Sequence, residues 1–274
     1  MKKILLAALL SGFSCLAHAV HYDVMLGTSH GAVAGSQITV DFYGDFDLAG
    51  KLPIDSASGH KLFPGYFDDL EGGPRATDDP GFQAFAGTFK YGEEVHFRAL
   101  GQLNYWSPES QSWGVAGSNA NITLYGGIPV DAWLNYMLNP GNATYAAQYQ
   151  YYANGTVFGG NGVSGPVTAL IDGAGSNGSF HSHLDWKVSD AAAAGVYMLT
   201  LQVWSPTLEN GVQKYLDSDP FHVVFKTAGI SQAQFDQAFD QRIAVAVPEP
   251  ESYALLLLGL AVVGLSARRR KALI

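Results

Sequence analysis

Cysteine is almost missing from this chain of 274 residues, Cys15 being the single one. That excludes a disulfide framework and the metal sites built from clustered thiolates. Charge is sparse as well, at 14% of residues, and basic charge is the sparser sign, with 15 Lys and Arg against 24 Asp and Glu. Two bases are Lys2 and Lys3, four lie in the run 268–271, and two acids are Glu249 and Glu251. The segment between therefore holds nine bases against 22 acids, a net charge of −13. Such a surface repels nucleic acid and anionic headgroups and attracts cations, besides keeping the chain in solution. Enzyme signatures are lacking: there is no Gly-x-Ser-x-Gly elbow, no His-Glu-x-x-His and no phosphate-cradling glycine loop. Neither a catalytic residue nor an organic cofactor is expected, and no internal repeat is evident.

What is abundant is glycine, 32 residues, with 12 prolines, and between these turn formers the pattern is that of strands. Residues 37–42 alternate polar and apolar, as do 196–203, where Tyr197, Leu199, Leu201 and Val203 share one face. The runs 121–125 and 221–225 are shorter and β-rich. These features predict an all-β chain, a β-sandwich over residues 20–229. One helix is predicted over 230–246: Ser231 caps it with Gln234 three residues on, and Phe235, Phe239 and Ile243 form an apolar stripe that packs on the sandwich. Less order is expected over 139–178, where Tyr149, Tyr151 and Tyr152 are read as lining a half-buried sheet face rather than stacking on sugar rings.

Both ends read as addresses. Lys2 and Lys3 precede an apolar stretch over 4–10, and Ala17-His18-Ala19 offers small residues for cleavage, so residues 1–19 read as a signal peptide and Val20 as the mature terminus. Cys15 leaves with that peptide, and Gly12-Phe13-Ser14 before it lacks the leucine of a lipoprotein box. At the other end Val247-Pro248-Glu249-Pro250-Glu251 is followed by an apolar run over 253–267 and by Arg268-Arg269-Arg270-Lys271. About 15 apolar residues reach only ~22 Å as a helix, short of a ~30 Å hydrocarbon core, which suits transient anchoring with the cations left inside. The order Pro-Glu-Pro, short apolar helix, arginine cluster over 247–274 resembles the PEP-CTERM sorting signal of Gram-negative, exopolysaccharide-producing bacteria. That resemblance implies export, brief holding in the inner membrane, an exosortase-type sorting machinery as partner, and a final place in the envelope, the surface or the extracellular matrix.

Histidine is where chemistry enters. In His181-Ser182-His183-Leu184-Asp185-Trp186 the period of a strand puts His181, His183 and Asp185 on one face and Leu184 and Trp186 on the other. Near the opposite end of the domain, His21 and Asp23 also share a strand face. In a sandwich the first strand can lie beside a late one, which would join the two pairs into three imidazoles and a carboxylate, a donor set for zinc and less well for manganese. Asp79 stands as an extra ligand candidate within Asp68, Asp69, Glu71, Asp78 and Asp79, an acidic series that lacks the spacing of a calcium loop and reads as a solvated loop turning at Pro80-Gly81. His96 and His222 read as satisfied sheet residues and His30 as a loop residue.

The start His21-Tyr22-Asp23-Val24, the later segment 178–186 and Gly195-Val196-Tyr197 together resemble actinobacterial surface-anchored domains linked to metal-uptake loci, with Asp185 where those have Asn. Thr77-Asp78-Asp79-Pro80-Gly81-Phe82, Asp217-Ser218-Asp219-Pro220-Phe221 and the closing helix are similar to a PEP-CTERM family repressed by the zinc-uptake regulator. This resemblance implies a protein made when zinc is scarce, with His21, Asp23, His181 and His183 as zinc ligands at the cell surface. Two other readings fit the sequence. One is a structural protein associated with exopolysaccharide that needs no metal. The other is a copper oxidase, which requires cleavage after Val20 so that the amine and ring of His21 grip the metal.

Overall fold

The structure is a computed structural model, and it describes residues 22–44, 50–67 and 73–243. The expected signal peptide, His21, the acids Asp68, Asp69 and Glu71, and the sorting segment all lie outside those residues. Among the described residues there are 18 strands and three helices, so the chain is mostly β, and its sheets are open rather than closed into a barrel.

The first sheet has the order β12 (Phe180–Ser182), β5 (Gly81–Ala84), β1 (Tyr22–Thr28), β2 (Ser36–Gly44) and β17 (Tyr215–Leu216). The second has the order β10 (Gly162–Ser164), β9 (Thr156–Gly159), β8 (Asn121–Tyr125), β13 (Asp185–Val188) and β4 (Ala76–Thr77). The third runs β11 (Thr168–Gly173), β6 (Glu94–Ser107), β14 (Val196–Trp204), β18 (Phe221–Lys226) and β3 (Lys61–Tyr66), with β7 (Ser112–Val115) paired to β6. A small hairpin joins β15 (Leu208–Glu209) and β16 (Val212–Gln213).

Alternation decides which face of each sheet is buried. In β2, Ile38, Val40 and Phe42 point inward, and Tyr22, Val24 and Leu26 do the same in β1. They meet Phe97, Leu199, Leu201, Val203 and Phe225 of the third sheet and Ile122, Leu124, Phe158 and Trp186 of the second in a single core. The sheets thus pack face to face in the manner of a sandwich. β18 does not alternate, because both of its faces are covered and all six residues are buried. Its outer side belongs to a second cluster in which Leu62, Trp106, Val196, Met198 and Val224 receive Phe235 and Ala238 of the helix α3 (Gln232–Asp240).

That closing helix forms as the sequence predicts. Ser231 Oγ accepts from Gln234 N, and the Gln234 side chain accepts from the Ser231 N–H, a complete capping box. It is shorter than 230–246. Beyond it Ile243 bridges to Asp55, and Arg242 is bound there too.

Two features correct the sequence reading. The segment 139–178 is ordered: α2 (Ala143–Ala153) begins at Asn142, whose side chain accepts from Thr144 N and Tyr145 N, and β9, β10 and β11 follow. A second unforeseen helix, α1 (Val130–Leu138), precedes it, and Tyr149, Tyr151 and Tyr152 lie on α2 instead of a sheet. Among the described residues no helix is long and apolar enough to cross a membrane, and the apolar run 253–267 lies outside them.

Candidate metal centre

Asp23 sits between two residues of the core, Tyr22 and Val24, so the pleat sends its side chain to the opposite face of the first sheet. β5 runs parallel to β1 with Gly81 opposite Asp23. On its far side β5 pairs antiparallel with β12, Gln83 opposite His181 and Phe82 opposite Ser182. The same register brings His183, one residue past β12, level with Gly81. One row therefore crosses three strands as Asp23, Gly81, His183, with His181 a step along the same face.

Gly81 is what lets the ends of that row meet. A Cβ added there would overlap Asp23 Oδ1 and stand 2.8 Å from His183 Cε1 and 2.9 Å from Nδ1. Any other residue would wedge the carboxylate and the imidazole apart.

Three ligating residues converge in that space. His181 Nε2 lies 2.9 Å from His183 Nε2 and 3.2 Å from Asp23 Oδ2, and His183 Nε2 lies 3.6 Å from Asp23 Oδ1. Tetrahedral zinc with nitrogen and oxygen ligands at roughly 2.0–2.1 Å sets neighbouring donors about 3.3 Å apart, and these separations of 2.9 to 3.6 Å lie on either side of that value. The Asp23 side chain is fully buried, whereas the His181 side chain is 46% exposed and leaves one side open to solvent. That open side suits a water as fourth ligand.

The other nitrogen of His183 is held from behind. Its Nδ1 is 3.0 Å from the Asp78 carbonyl oxygen, and as the donor of that bond it makes Nε2 the nitrogen that carries the lone pair in the neutral ring. The Asp79 carboxylate is 3.5 Å and that of Asp78 3.6 Å from the same Nδ1. Burial pushes the Asp79 carboxyl up to about 7; the His183 ring and the Tyr22 N–H pull it back, while the Asp78 and Asp23 charges add to the rise. Asp79 N–H donates to Thr77 Oγ1 at 3.1 Å, and Trp186 Nε1–H donates to the Pro80 carbonyl at 3.2 Å, which ties this segment to the core.

Of the residues singled out in the sequence, Asp23, Asp79, His181 and His183 are thus neighbours, and His21 lies outside the described residues. The first strand does not run beside a late one as expected. β5 stands between them, and contact is made across it at Gly81. Asp79 is buried rather than part of a solvated loop, and Gly81 opens a strand instead of completing a turn. Asp185 is not in the cluster, because the chain leaves the first sheet after His183 and Asp185 begins β13 of the second. Leu184 and Trp186, expected on the face away from the histidines, are both buried. Nothing in the sequence marks the Asp78 carbonyl or the missing side chain at Gly81 as parts of a site, although Asp-Asp-Pro-Gly is visible as a motif.

The remaining described histidines have local partners. His96 Nε2 is 3.1 Å from Glu94 Oε2, and His30 Nδ1 is 2.8 Å from Ser29 Oγ. His222 is buried between Ser58 Oγ at 2.8 Å and Thr200 Oγ1 at 2.9 Å. His60 packs beside it with the rings tilted, their centroids 5.0 Å apart.

Comparison with known proteins places the C-terminus. The PEP-CTERM protein-sorting motif matches residues 246–271. No curated protein and no solved structure matches the chain. The chain thus carries the signal of an exported, surface-sorted protein, recognised through its C-terminal segment by exosortase-type machinery.

Proposed function

We propose that this sorted protein is a non-enzymatic binder of a divalent cation, zinc foremost, held by His181, His183 and Asp23 on the outer face of the first sheet. The observation that carries the reading is the convergence of two Nε2 atoms and a buried carboxylate within 2.9 to 3.6 Å of one another, around the edge length of a tetrahedral site. His183 is oriented by the Asp78 carbonyl, and Asp79, a ligand candidate by sequence, faces Nδ1 on the side of the ring away from the proposed ion, where its carboxylate supports the imidazole's charge. His21, a ligand candidate by sequence, lies outside the described residues, and water suits the open fourth position. The acidic domain raises the local cation concentration, which suits capture where zinc is scarce.

Metal analysis of the protein purified without a histidine tag tests this. After zinc exposure and desalting the wild type should retain about one ion per chain, and the His181→Ala/His183→Ala variant less than about 0.1. Binding should weaken as pH falls, because protonated imidazoles cannot ligate. Equal retention by the two proteins removes this strand from any site.

A second reading, a surface or matrix protein without a metal, has its own support. The 2.9 Å separation of the two Nε2 atoms is also that of a hydrogen bond, and Asp23 at 3.2 Å is placed to neutralise a protonated imidazole. Wild-type protein that stays zinc-free favours this one.

A further inference from the structure

The helix α1 has the side chains of a buried element in an exposed position. Val130, Trp133, Leu134, Met137 and Leu138 recur at the i, i+3, i+4, i+7, i+8 spacing that marks the inward face of an amphipathic helix. Yet these five are between 40% and 74% exposed, and Ala132 is the only residue of α1 that is buried. α2 beside it buries none. The contact between the two helices uses other side chains, Tyr136 stacking on Tyr149 with ring centroids 4.4 Å apart.

Charge indicates what covers the stripe. Between Glu109 and Asp172 the only charged residue is Asp131, and there is no histidine. A lipid headgroup layer is ordinarily met by Lys and Arg on the polar face of such a helix, and this hairpin has neither. Two copies of a domain with net charge −13 repel each other over most of their surface, and the helical hairpin is where that repulsion is smallest. Asp131 is in the first turn of α1, so antiparallel pairing about a two-fold axis sets the two Asp131 carboxylates at opposite ends of a helix pair ~13 Å long. The five exposed side chains offer roughly 500 Å² per copy, or about 1,000 Å² in total, the lower bound of a specific interface.

We propose that α1 is the contact of a homodimer, its stripe packing antiparallel against the same stripe of a second copy. The area corresponds to a weak association, with dissociation in the ~micromolar range. At a surface crowded by sorting, that is strong enough to pair the chains.

Cross-linking of the full chain tests the geometry. Leu134 is the middle residue of the nine, so in an antiparallel pair it meets its own copy. In a Cys15→Ser background, Leu134→Cys should form a disulfide dimer under mild oxidation at least fivefold more readily than Tyr91→Cys, a site 78% exposed elsewhere on the surface. Adding Met137→Asp and Leu138→Asp should abolish that advantage while the circular dichroism spectrum stays unchanged, since both side chains are exposed. Equal cross-linking at Leu134 and Tyr91, or an advantage that survives the two aspartates, overturns the proposal. Equal cross-linking together with vesicle flotation lost on Met137→Asp overturns it in favour of lipid.

Discussion

Two clusters in this molecule each surround a fully buried aspartate with histidine, and they are built for opposite ends. Around Asp55, beneath the end of α3, the partners are a cation and a hydroxyl. Arg242 Nε is 2.7 Å from Oδ1 and its Nη2 2.9 Å from Oδ2, and Ser58 Oγ donates to Oδ2 at 2.6 Å. Since Ser58 spends its proton on Asp55, it accepts from His222 Nε2–H, which leaves Nδ1 to accept from Thr200. Every charge there is balanced internally, and the cluster closes the helix onto the sheet. Around Asp23 the facing groups are two imidazole nitrogens with one side open to water. A guanidinium fills the first site for good, whereas imidazoles leave the second able to exchange a proton for a metal ion. The contrast teaches that a buried carboxylate among histidines signals a binding site only when its compensating charge can leave.

Breaking the closed cluster should have the largest effect on the fold and none on zinc. Arg242→Ala leaves the Asp55 carboxylate buried without its cation, a loss of about 3–5 kcal/mol of stability by urea unfolding. Zinc affinity should stay within about twofold of wild type while the protein is folded. A matched loss of zinc would mean the two clusters are coupled and the comparison fails.

Acid should find the same weakness. Burial pushes the His222 pKa down to about 4, with Asp55 pulling partly against it. Burial raises the Asp55 carboxyl, but the Ser58 and Arg242 hydrogen bonds outweigh this and hold it below the usual carboxylate range. Unfolded, His222 takes up a proton near pH 6.5; folded, it does so only near 4. The unfolded chain therefore binds the extra proton in between. The stability tied to neutral His222 is present above about 6.5 and is lost as pH falls toward 4, on the order of 3 kcal/mol. The Asp55 contribution is present above the model-peptide value and is lost below it. Measured on zinc-free protein, His222→Gln should flatten the first part of that decline. An unchanged slope would move the acid sensitivity elsewhere.

The sequence yields these regions unequally, for physical reasons. β2, β8, β14 and β18 are legible because one or both faces meet the core and their residue types follow the pleat. α3 is legible through Ser231 and Gln234. α1 and α2 are not read from composition, since the Asn, Gly and Tyr around them resemble loop, although Asn142 as a cap and the spacing of Val130, Trp133 and Leu134 were there to be seen. They touch the core only through buried Ala132 and half-buried Tyr152, so no sheet disciplines their pattern. For the candidate site, His181 and His183 could be paired from spacing alone. Their meeting with Asp23 is also an expectation of the sequence, but the route is not legible, because contact is made across a four-residue strand, β5, whose first residue reads as a turn, while Asp185 is carried into another sheet.

Gly81 gives the finest test of the open cluster, because it alters the space between the ligands and none of the ligands themselves. Its backbone needs no special conformation, so an Ala there acts through volume, with the new methyl group crowding Asp23 Oδ1 on one side and the His183 ring on the other. Ligands displaced by a few tenths of an ångström no longer share one ion well. Gly81→Ala should weaken zinc binding about tenfold, or ~1.4 kcal/mol, by competition with a chromophoric chelator. Overpacking also costs stability, about 1–3 kcal/mol, so thermal unfolding without metal must be measured alongside. Arg242→Ala supplies the control, being expected to lose more stability and no affinity. If Gly81→Ala binds zinc like the wild type, the row across β5 is not where the ion sits. If both variants lose affinity in proportion to stability, the two clusters differ only in packing.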